Sequence, residues 1–409
     1  MLVEIITIGD EILIVQITDT NSTWMAAQLT KQGFEVVAIS SVADQKDSIT
    51  KAIDIAFSRA DILLLTGGIG PTKDDITKNT LCSYFNTDLI FDEAVLQNIN
   101  EIFWRRKYTL NELTRSQAMV PRGSTVIQNR AGTAPIIWFE KNDKILVSMP
   151  GVPSEMKTAM RNDILPKLVN QFNVDNYMCT TLSVSGITES DLAIKLNDFE
   201  NKLPDYTNLA YLPAYGIIRL RLSLRNRRNG DNLNELTNEL KQLVKPFLID
   251  DEDRPIEMLL GILLNEKKLT ISTAESCTGG RVSQRITKIA GASNYYKGSI
   301  VSYSNEAKIN LLGVNSQTLD KHGAVSKQVV EQMAISCCKQ LNTDCSIAIS
   351  GIAGPSGGTD DKPVGTTWIC TKYGDKILTK LYQFVSAREI NIERATNAGI
   401  LQIIGMIRE

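Results

Sequence analysis

The run Asp61-Ile-Leu-Leu-Leu-Thr66 constrains this chain more than any other segment. Four consecutive apolar residues between turn formers do not suit a half-wet strand, in which apolar and polar residues alternate. A short continuous run fits a strand covered on both faces, as in a parallel sheet. The surrounding chain alternates in the same sense. Val3 to Ile8 reads as a strand ending at Gly9-Asp10. Asn21-Ser22-Thr23 opens a helix with Trp24, Met25 and Leu29 at helical spacing, and Gly33 stops it. Phe34 to Ile39 is a second strand, Ile49 to Ala60 a helix, and Ile145 to Met149 a later strand before Pro150-Gly-Val-Pro153. Strand and helix in this order spell an open α/β fold.

The middle of the chain changes character. Ile218, Leu220, Leu222 and Leu224 alternate with Arg219, Arg221 and Arg225, the pattern of a sheet with one wet face. Glu189 to Leu196 and Asn232 to Leu248 are helical. Asp250-Asp-Glu-Asp-Arg-Pro255 is a charged, proline-terminated linker, after which the α/β alternation restarts. Ile256 to Lys267 is a helix, Leu269 to Thr273 a strand, Gly279 to Ile289 a helix, Cys345 to Ser350 a buried strand, and Ile390 to Ile407 the closing helix. A chain of 409 residues is long enough for two or three domains. The expectation is an α/β protein: two three-layer α/β/α domains, residues 1–170 and 255–409, joined by a small α+β module over 172–250.

Composition narrows the chemistry. The formal net charge is −2, so no overall positive field draws the chain to nucleic acid or an anionic membrane. Arg219, Arg221, Arg225, Arg227 and Arg228 make a local basic strand face, but no stacking aromatics interleave and no GxxG clamp is present, so a solvated sheet face is the favoured reading. The single histidine, His322, excludes a His-rich metal centre. The seven cysteines contain no CxxC pair and suggest neither a disulfide framework nor a zinc cage. No secretory signal is visible and no run of about 18 apolar residues occurs, so a cytoplasmic protein without a membrane span is expected.

Three glycine-rich turns follow apolar strands. In Thr66-Gly-Gly-Ile-Gly-Pro-Thr-Lys-Asp-Asp75, Gly67, Gly68 and Gly70 would let backbone approach a ligand. Asp74 and Asp75 are candidate ligands for a divalent cation beside a diphosphate. The bland reading is a tight turn and an acidic helix cap. In Thr273-Ala-Glu-Ser-Cys-Thr-Gly-Gly280, Ser276, Cys277 and Thr278 lie at the carboxyl edge of a sheet beside Gly279 and Gly280, where α/β proteins bind ligands and N–H groups can form an oxyanion hole. Here the bland reading is Ser276 as an N-cap and Cys277 as a small buried residue. A serine nucleophile needs a base: His322, or Lys308 with Tyr303 nearby, since a desolvated lysine can accept a proton. Ser350-Gly-Ile-Ala-Gly-Pro-Ser-Gly-Gly358 could cradle a phosphate and Arg388 could clamp it.

These residues together resemble the competence/damage-inducible protein A (CinA) family along essentially the whole chain. Gly9-Asp-Glu-Ile-Leu13, Asp19-Thr-Asn-Ser22, Thr66 to Thr77, Asn129 to Pro135 and Pro150 to Met156 are similar to its molybdopterin-binding-like domain. Thr273 to Gly280, Tyr303 to Lys308, His322 to Ser326, Ser350 to Pro355 and Lys362 to Thr366 are similar to its C-terminal domain. The resemblance implies a nicotinamide mononucleotide deamidase of pyridine-nucleotide recycling, with Ser276 as nucleophile, Tyr303 and Lys308 as partners relaying a proton, and Ser350, Gly351 and Arg388 in the pocket. No cofactor is implied for this reaction. It also implies a metal-dependent ADP-ribose pyrophosphatase in the N-terminal domain, using Mg²⁺ or Co²⁺ at Asp74 and Asp75. The middle module would be KH-like, the partners small phosphorylated nucleotides, and the assembly a homodimer. One departure stands out: the family usually has Gly where this chain has Val15, and a branched side chain there is expected to narrow the N-terminal pocket. The competing readings are a nucleotide- or molybdopterin-binding module with an inactive N-terminal site, and a DNA-uptake or repair accessory protein.

Overall fold

Alternate residues of the apolar strands go to opposite cores, and this builds the layers. In the computed structural model, which describes residues 1–172, 177–225 and 232–409, Ile62 and Leu64 face one apolar cluster with Val3, Ile5, Met25 and Leu29. Leu63 and Leu65 face another with Ile6, Ile8, Ile49 and Ile53. A strand serving two cores cannot carry polar alternation, which is why the run 62–65 is continuous.

The chain divides into two compact units, Met1–Cys179 with Ser223–Asp231, and Thr180–Leu222 with Asn232–Glu409. Strands of the first are β1 (Leu2–Ile8), β2 (Glu35–Val42), β3 (Ile62–Thr66), β4 (Leu89–Phe91), β5 (Met119–Pro121), β6 (Thr125–Ile127), β7 (Ile136–Lys141) and β8 (Lys144–Met149). The main sheet has the order β2-β1-β3-β8-β7-β6; β2, β1, β3 and β8 are parallel, and β7 and β6 are antiparallel additions. β4 and β5 form a separate ribbon. The carboxyl ends of β1, β3 and β8 open onto one crevice.

Val15 does not narrow the N-terminal crevice, contrary to the expectation from its branched side chain. Its side chain is 81% exposed and does not line the crevice. The constraint is on the backbone instead, because Val15 has φ 59°, a left-handed conformation that a β-branched residue adopts only under strain. Val15→Gly is therefore expected to raise the thermal midpoint of the first unit by about 2 °C or more, corresponding to about 1 kcal/mol of relieved strain. A lowered midpoint in a melting experiment would contradict this.

In the second unit, β9 (Tyr177–Ser185), β10 (Thr207–Ala214), β11 (Ile217–Arg225) and β12 (Leu248–Asp250) form a sheet of order β10-β11-β9-β12; β9 begins, and β11 ends, in the first unit. Ile218, Leu220, Leu222 and Leu224 are buried, as their alternation predicts. The C-terminal sheet has the order β14-β13-β15-β16-β17, from β13 (Ile271–Glu275), β14 (Tyr296–Val301), β15 (Cys345–Gly351), β16 (Thr366–Tyr373) and β17 (Lys376–Gln383). β14, β13 and β15 are parallel, and β16 and β17 return antiparallel. Helices Ile256–Lys267 and Arg388–Arg408 cover one face and Lys327–Gln340 the other. The fold is α/β. Among the described residues, no helix is long and apolar enough to cross a membrane.

Candidate active site

Three parallel strands deliver the chemistry to one edge. β13 ends at Glu275 and is followed by Ser276; β14 ends at Val301 and is followed by Ser302 and Tyr303; β15 ends in Ser350 and Gly351. The chain leaves β13 toward β14 on one side and leaves the adjacent β15 toward β16 on the other, the place where open α/β sheets form a crevice. A cavity of about 170 Å³ sits there, and Ser276, Cys277, Tyr303, Lys308, Ser350 and Arg388 are among its lining residues.

Lys308 stands on the helix Asn305–Leu312, capped by the Ser304 side chain, which accepts from the Ala307 N–H. It is 1% exposed. Its Nζ lies 3.0 Å from Ser276 Oγ, 2.7 Å from the Ser302 carbonyl and 3.3 Å from the Tyr303 carbonyl. Burial lowers the pKa of this amine below the ordinary lysine value, opposed in part by the neighbouring Cys277. Of the two candidate bases, Lys308 is thus the one beside the serine. His322 does not line the cavity, and its carbonyl accepts from Lys362 Nζ at 2.7 Å.

Other site residues are placed differently from expectation. The Tyr303 hydroxyl does not meet Lys308: Arg388 Nη2 donates to it at 3.2 Å, and the tyrosine is 62% exposed at the cavity. A direct relay through that hydroxyl is therefore not formed. Arg388 Nη1 donates to the Gly354 carbonyl at 2.7 Å, tying the last helix to the glycine loop. Ser350 Oγ donates to the Ala324 carbonyl at 2.8 Å. Ser276 is not a helix N-cap, since the helix Arg281–Thr287 begins after Gly280. Cys277 packs into the apolar core, and burial pushes its thiol up to about 12, so it holds no thiolate near neutral pH.

The residue that sequence reasoning missed is Glu275. It is fully buried, and its carboxylate accepts from Thr278 Oγ1 at 2.7 Å and from the N–H groups of Gly280, Val282 and Ser283 at 2.9, 3.1 and 2.8 Å. The amides opening that helix, an expected anion cradle, are therefore taken by the protein's own carboxylate. An acidic residue placed just before a helix start was the available signal. The Cys277 amide lies against its own thiol, and among the described residues the Thr278 amide donates to no backbone acceptor.

In the first unit, the crevice has a volume of about 590 Å³, and Gly67, Gly68 and Gly70 line it together with Asp19, Asp44, Asp74, Asp75 and Glu155. The glycines answer first to their own loop. A Cβ on Gly67 would meet the Ile8 carbonyl at 2.1 Å, and one on Gly68 the Thr77 hydroxyl at 2.3 Å, both at positive φ. Asp75 Oδ2 accepts from the Thr72 N–H at 2.9 Å and also from its hydroxyl. Burial raises the Asp44 carboxyl, with the charges of Asp10, Glu11 and Asp74 adding to this against a hydrogen bond from the Asp10 N–H. Among the described residues no three His, Cys, Asp or Glu side chains converge to hold a metal ion. On the basic strand face, Arg219 is spent on Asp253 through Nε at 2.6 Å. Arg227, Arg228 and the side chain of Arg225 lie outside the described residues.

Residues 253–407 match the CinA C-terminal domain, and residues 4–170 match a domain described as "Probable molybdopterin binding domain". A CinA-like protein of Cytophaga hutchinsonii is 43% identical over 408 residues, covering 98% of this chain and 96% of that one. A CinA-like protein of Flavobacterium psychrophilum is 42% identical over 410 residues, covering 98% and 97%. The crystal structure of competence damage-inducible protein A from Klebsiella pneumoniae is similar at 30% identity with a TM-score of 0.37, over 38% of this chain and 96% of that one. With full-length relatives at this identity and both halves matched in order, the chain belongs to the CinA family.

Proposed function

We propose that the second unit is an amidohydrolase converting nicotinamide mononucleotide and water to nicotinate mononucleotide and ammonia. The observation that carries this reading is the buried Lys308 amine 3.0 Å from Ser276 Oγ. A neutral amine has two N–H groups and one lone pair. The carbonyls of Ser302 and Tyr303 take the two N–H groups, which turns the lone pair toward the Ser276 hydroxyl. The Ser276 proton passes to Lys308 as Oγ bonds to the carboxamide carbon. The C–N bond then breaks as Lys308 returns that proton to the leaving nitrogen, and ammonia departs. Water attacks the ester; Lys308 takes the water's proton and restores it to Ser276 Oγ. The Thr278 amide remains to donate to the oxyanion. A cavity of about 170 Å³ suits a flat pyridine carboxamide rather than a whole nucleotide, leaving the ribose phosphate outside toward Arg388. The exposed Tyr303 ring can receive the pyridinium cation.

A second reading concerns the first unit: phosphate-bearing nucleotides of the ADP-ribose type as substrates. Its support is the crevice at the strand ends, lined by glycines and carboxylates. So many carboxylates repel a bare diphosphate, so an anion there calls for a cation. The side chains present do not close a metal shell, since Asp75 is turned to Thr72, and no step is derived through a metal. The test is to incubate the full chain with nicotinamide mononucleotide, following ammonia, and separately with ADP-ribose plus Mg²⁺ or Co²⁺, following AMP. Ammonia release without added metal is expected; its absence overturns the first reading, and the absence of AMP overturns the second.

A further inference from the structure

We infer that Glu275 is a positioning residue for Ser276: a buried carboxylate that pins the turn carrying the nucleophile. This rests on the reading of Ser276 as a nucleophile. Ser276 follows Glu275 directly, and its Oγ can reach the Lys308 lone pair only if the turn 276–280 holds one shape. Backbone bonds tie that turn to the sheet, to itself and to the helix it enters: Ser276 N–H to the Ile349 carbonyl at 3.0 Å, Gly279 N–H to the Ser276 carbonyl at 3.1 Å, Arg281 N–H to the Thr278 carbonyl at 3.0 Å and Gln284 N–H to the Gly280 carbonyl at 2.8 Å. Glu275 adds a side-chain restraint from beneath. Oε2 collects Thr278 Oγ1, Gly280 N–H and Val282 N–H; Oε1 collects Ser283 N–H and, at 3.4 Å, Thr273 Oγ1. Both oxygens are thus filled from the turn and the helix it enters, and the Thr273 hydroxyl is in turn bonded to the Tyr296 hydroxyl at 2.7 Å. No cation pairs with Glu275 among the described residues, so these donors are what stabilises a carboxylate with no exposure. Gly279 and Gly280 at φ 57° and 98° let the turn curl back over that carboxylate. The same use of the helix amides leaves the Thr278 amide as a free donor of the turn among the described residues.

An amide in place of this carboxylate has one oxygen where the structure uses two, and its NH₂ would face an N–H. Glu275→Gln should therefore tilt the turn and lower kcat about a hundredfold while KM stays near the wild-type value, since the cavity that binds substrate is largely built from other elements. Thr278→Val removes one donor to Oε2 without changing side-chain volume, and Thr278→Ser restores it. The full chain and these variants are compared by steady-state deamidation of nicotinamide mononucleotide, by the rate at which a fluorophosphonate labels Ser276 (read by mass spectrometry), and by thermal melting. The expected result is a fall in both kcat and labelling rate in Glu275→Gln and Thr278→Val, with rescue in Thr278→Ser. If Glu275→Gln does not fold, the Thr278 pair decides alone. Wild-type rates in Glu275→Gln, or equal rates in the Thr278 pair, overturn the inference. A wild-type chain that labels at Ser276 but leaves the mononucleotide intact overturns the substrate reading, while slower labelling in the variants still supports Glu275. A chain that does neither overturns both.

Discussion

Ser276→Ala is expected to abolish ammonia release from nicotinamide mononucleotide, with kcat falling by about 10⁴-fold or more. Among the described residues the side chain is hydrogen-bonded to Lys308 Nζ alone, so its loss removes the nucleophile without opening the core. Lys308 keeps the carbonyls of Ser302 and Tyr303, and the melting midpoint should be close to the wild-type value. Cys277 is adjacent but cannot substitute, because its buried thiol is pushed up to about 12 and carries no thiolate at neutral pH. Residual activity near the wild-type level, measured by ammonia release, would remove serine from the mechanism.

Lys308→Met separates activity from stability. The variant is expected to lose about 10³-fold or more in kcat, because among the described residues Lys308 is the base hydrogen-bonded to Ser276 Oγ. It should also melt higher at neutral pH, because the folded wild type must either bury an ammonium or give up a proton that the unfolded lysine keeps, and methionine does neither. The sign follows from the folded amine having a lower pKa than the unfolded lysine. Below the folded value both states are protonated, and burial of the charge costs stability in full. Between the folded value and the unfolded one of about 10.4, the unfolded state binds more protons, so wild-type stability rises with pH and the advantage of methionine disappears. Wild-type kcat/KM should rise with pH through the same lowered pKa, as the amine becomes a free base. A variant no more stable than wild type at neutral pH, or a wild-type rate that falls with rising pH over that range, would contradict the assignment.

Much of the fold was legible because its strands are buried on both faces. Ile62–Leu65 and the β15 residues Ile347 to Ile349 are apolar without interruption, and no helix or wet strand explains them. Helix ends were read less well. Gly279 looked like a helix start, yet the helix opens only after Gly280, because both glycines are left-handed and curl the turn back over Glu275. The pair of Ser276 and Lys308 was legible as two strand-end residues, but the preference for Lys308 over His322 depends on which loop crosses the sheet edge. Glu275 is not legible as functional, because one glutamate before a turn carries no periodic signal and its meaning lies in five converging donors. Val15 was misplaced because a sequence position does not say whether a side chain points into a crevice or away from it.

The central claim is that Ser276, with Lys308 as its base, carries the acyl group of the substrate. Its most direct measurement is acid quench of the full chain during turnover of nicotinamide mononucleotide, followed by peptide mass spectrometry. The nicotinate mononucleotide acyl group is expected as an ester on Ser276, increased when water is made scarce. The same group on Cys277, or ammonia released with Ser276 unmodified throughout the time course, would contradict it.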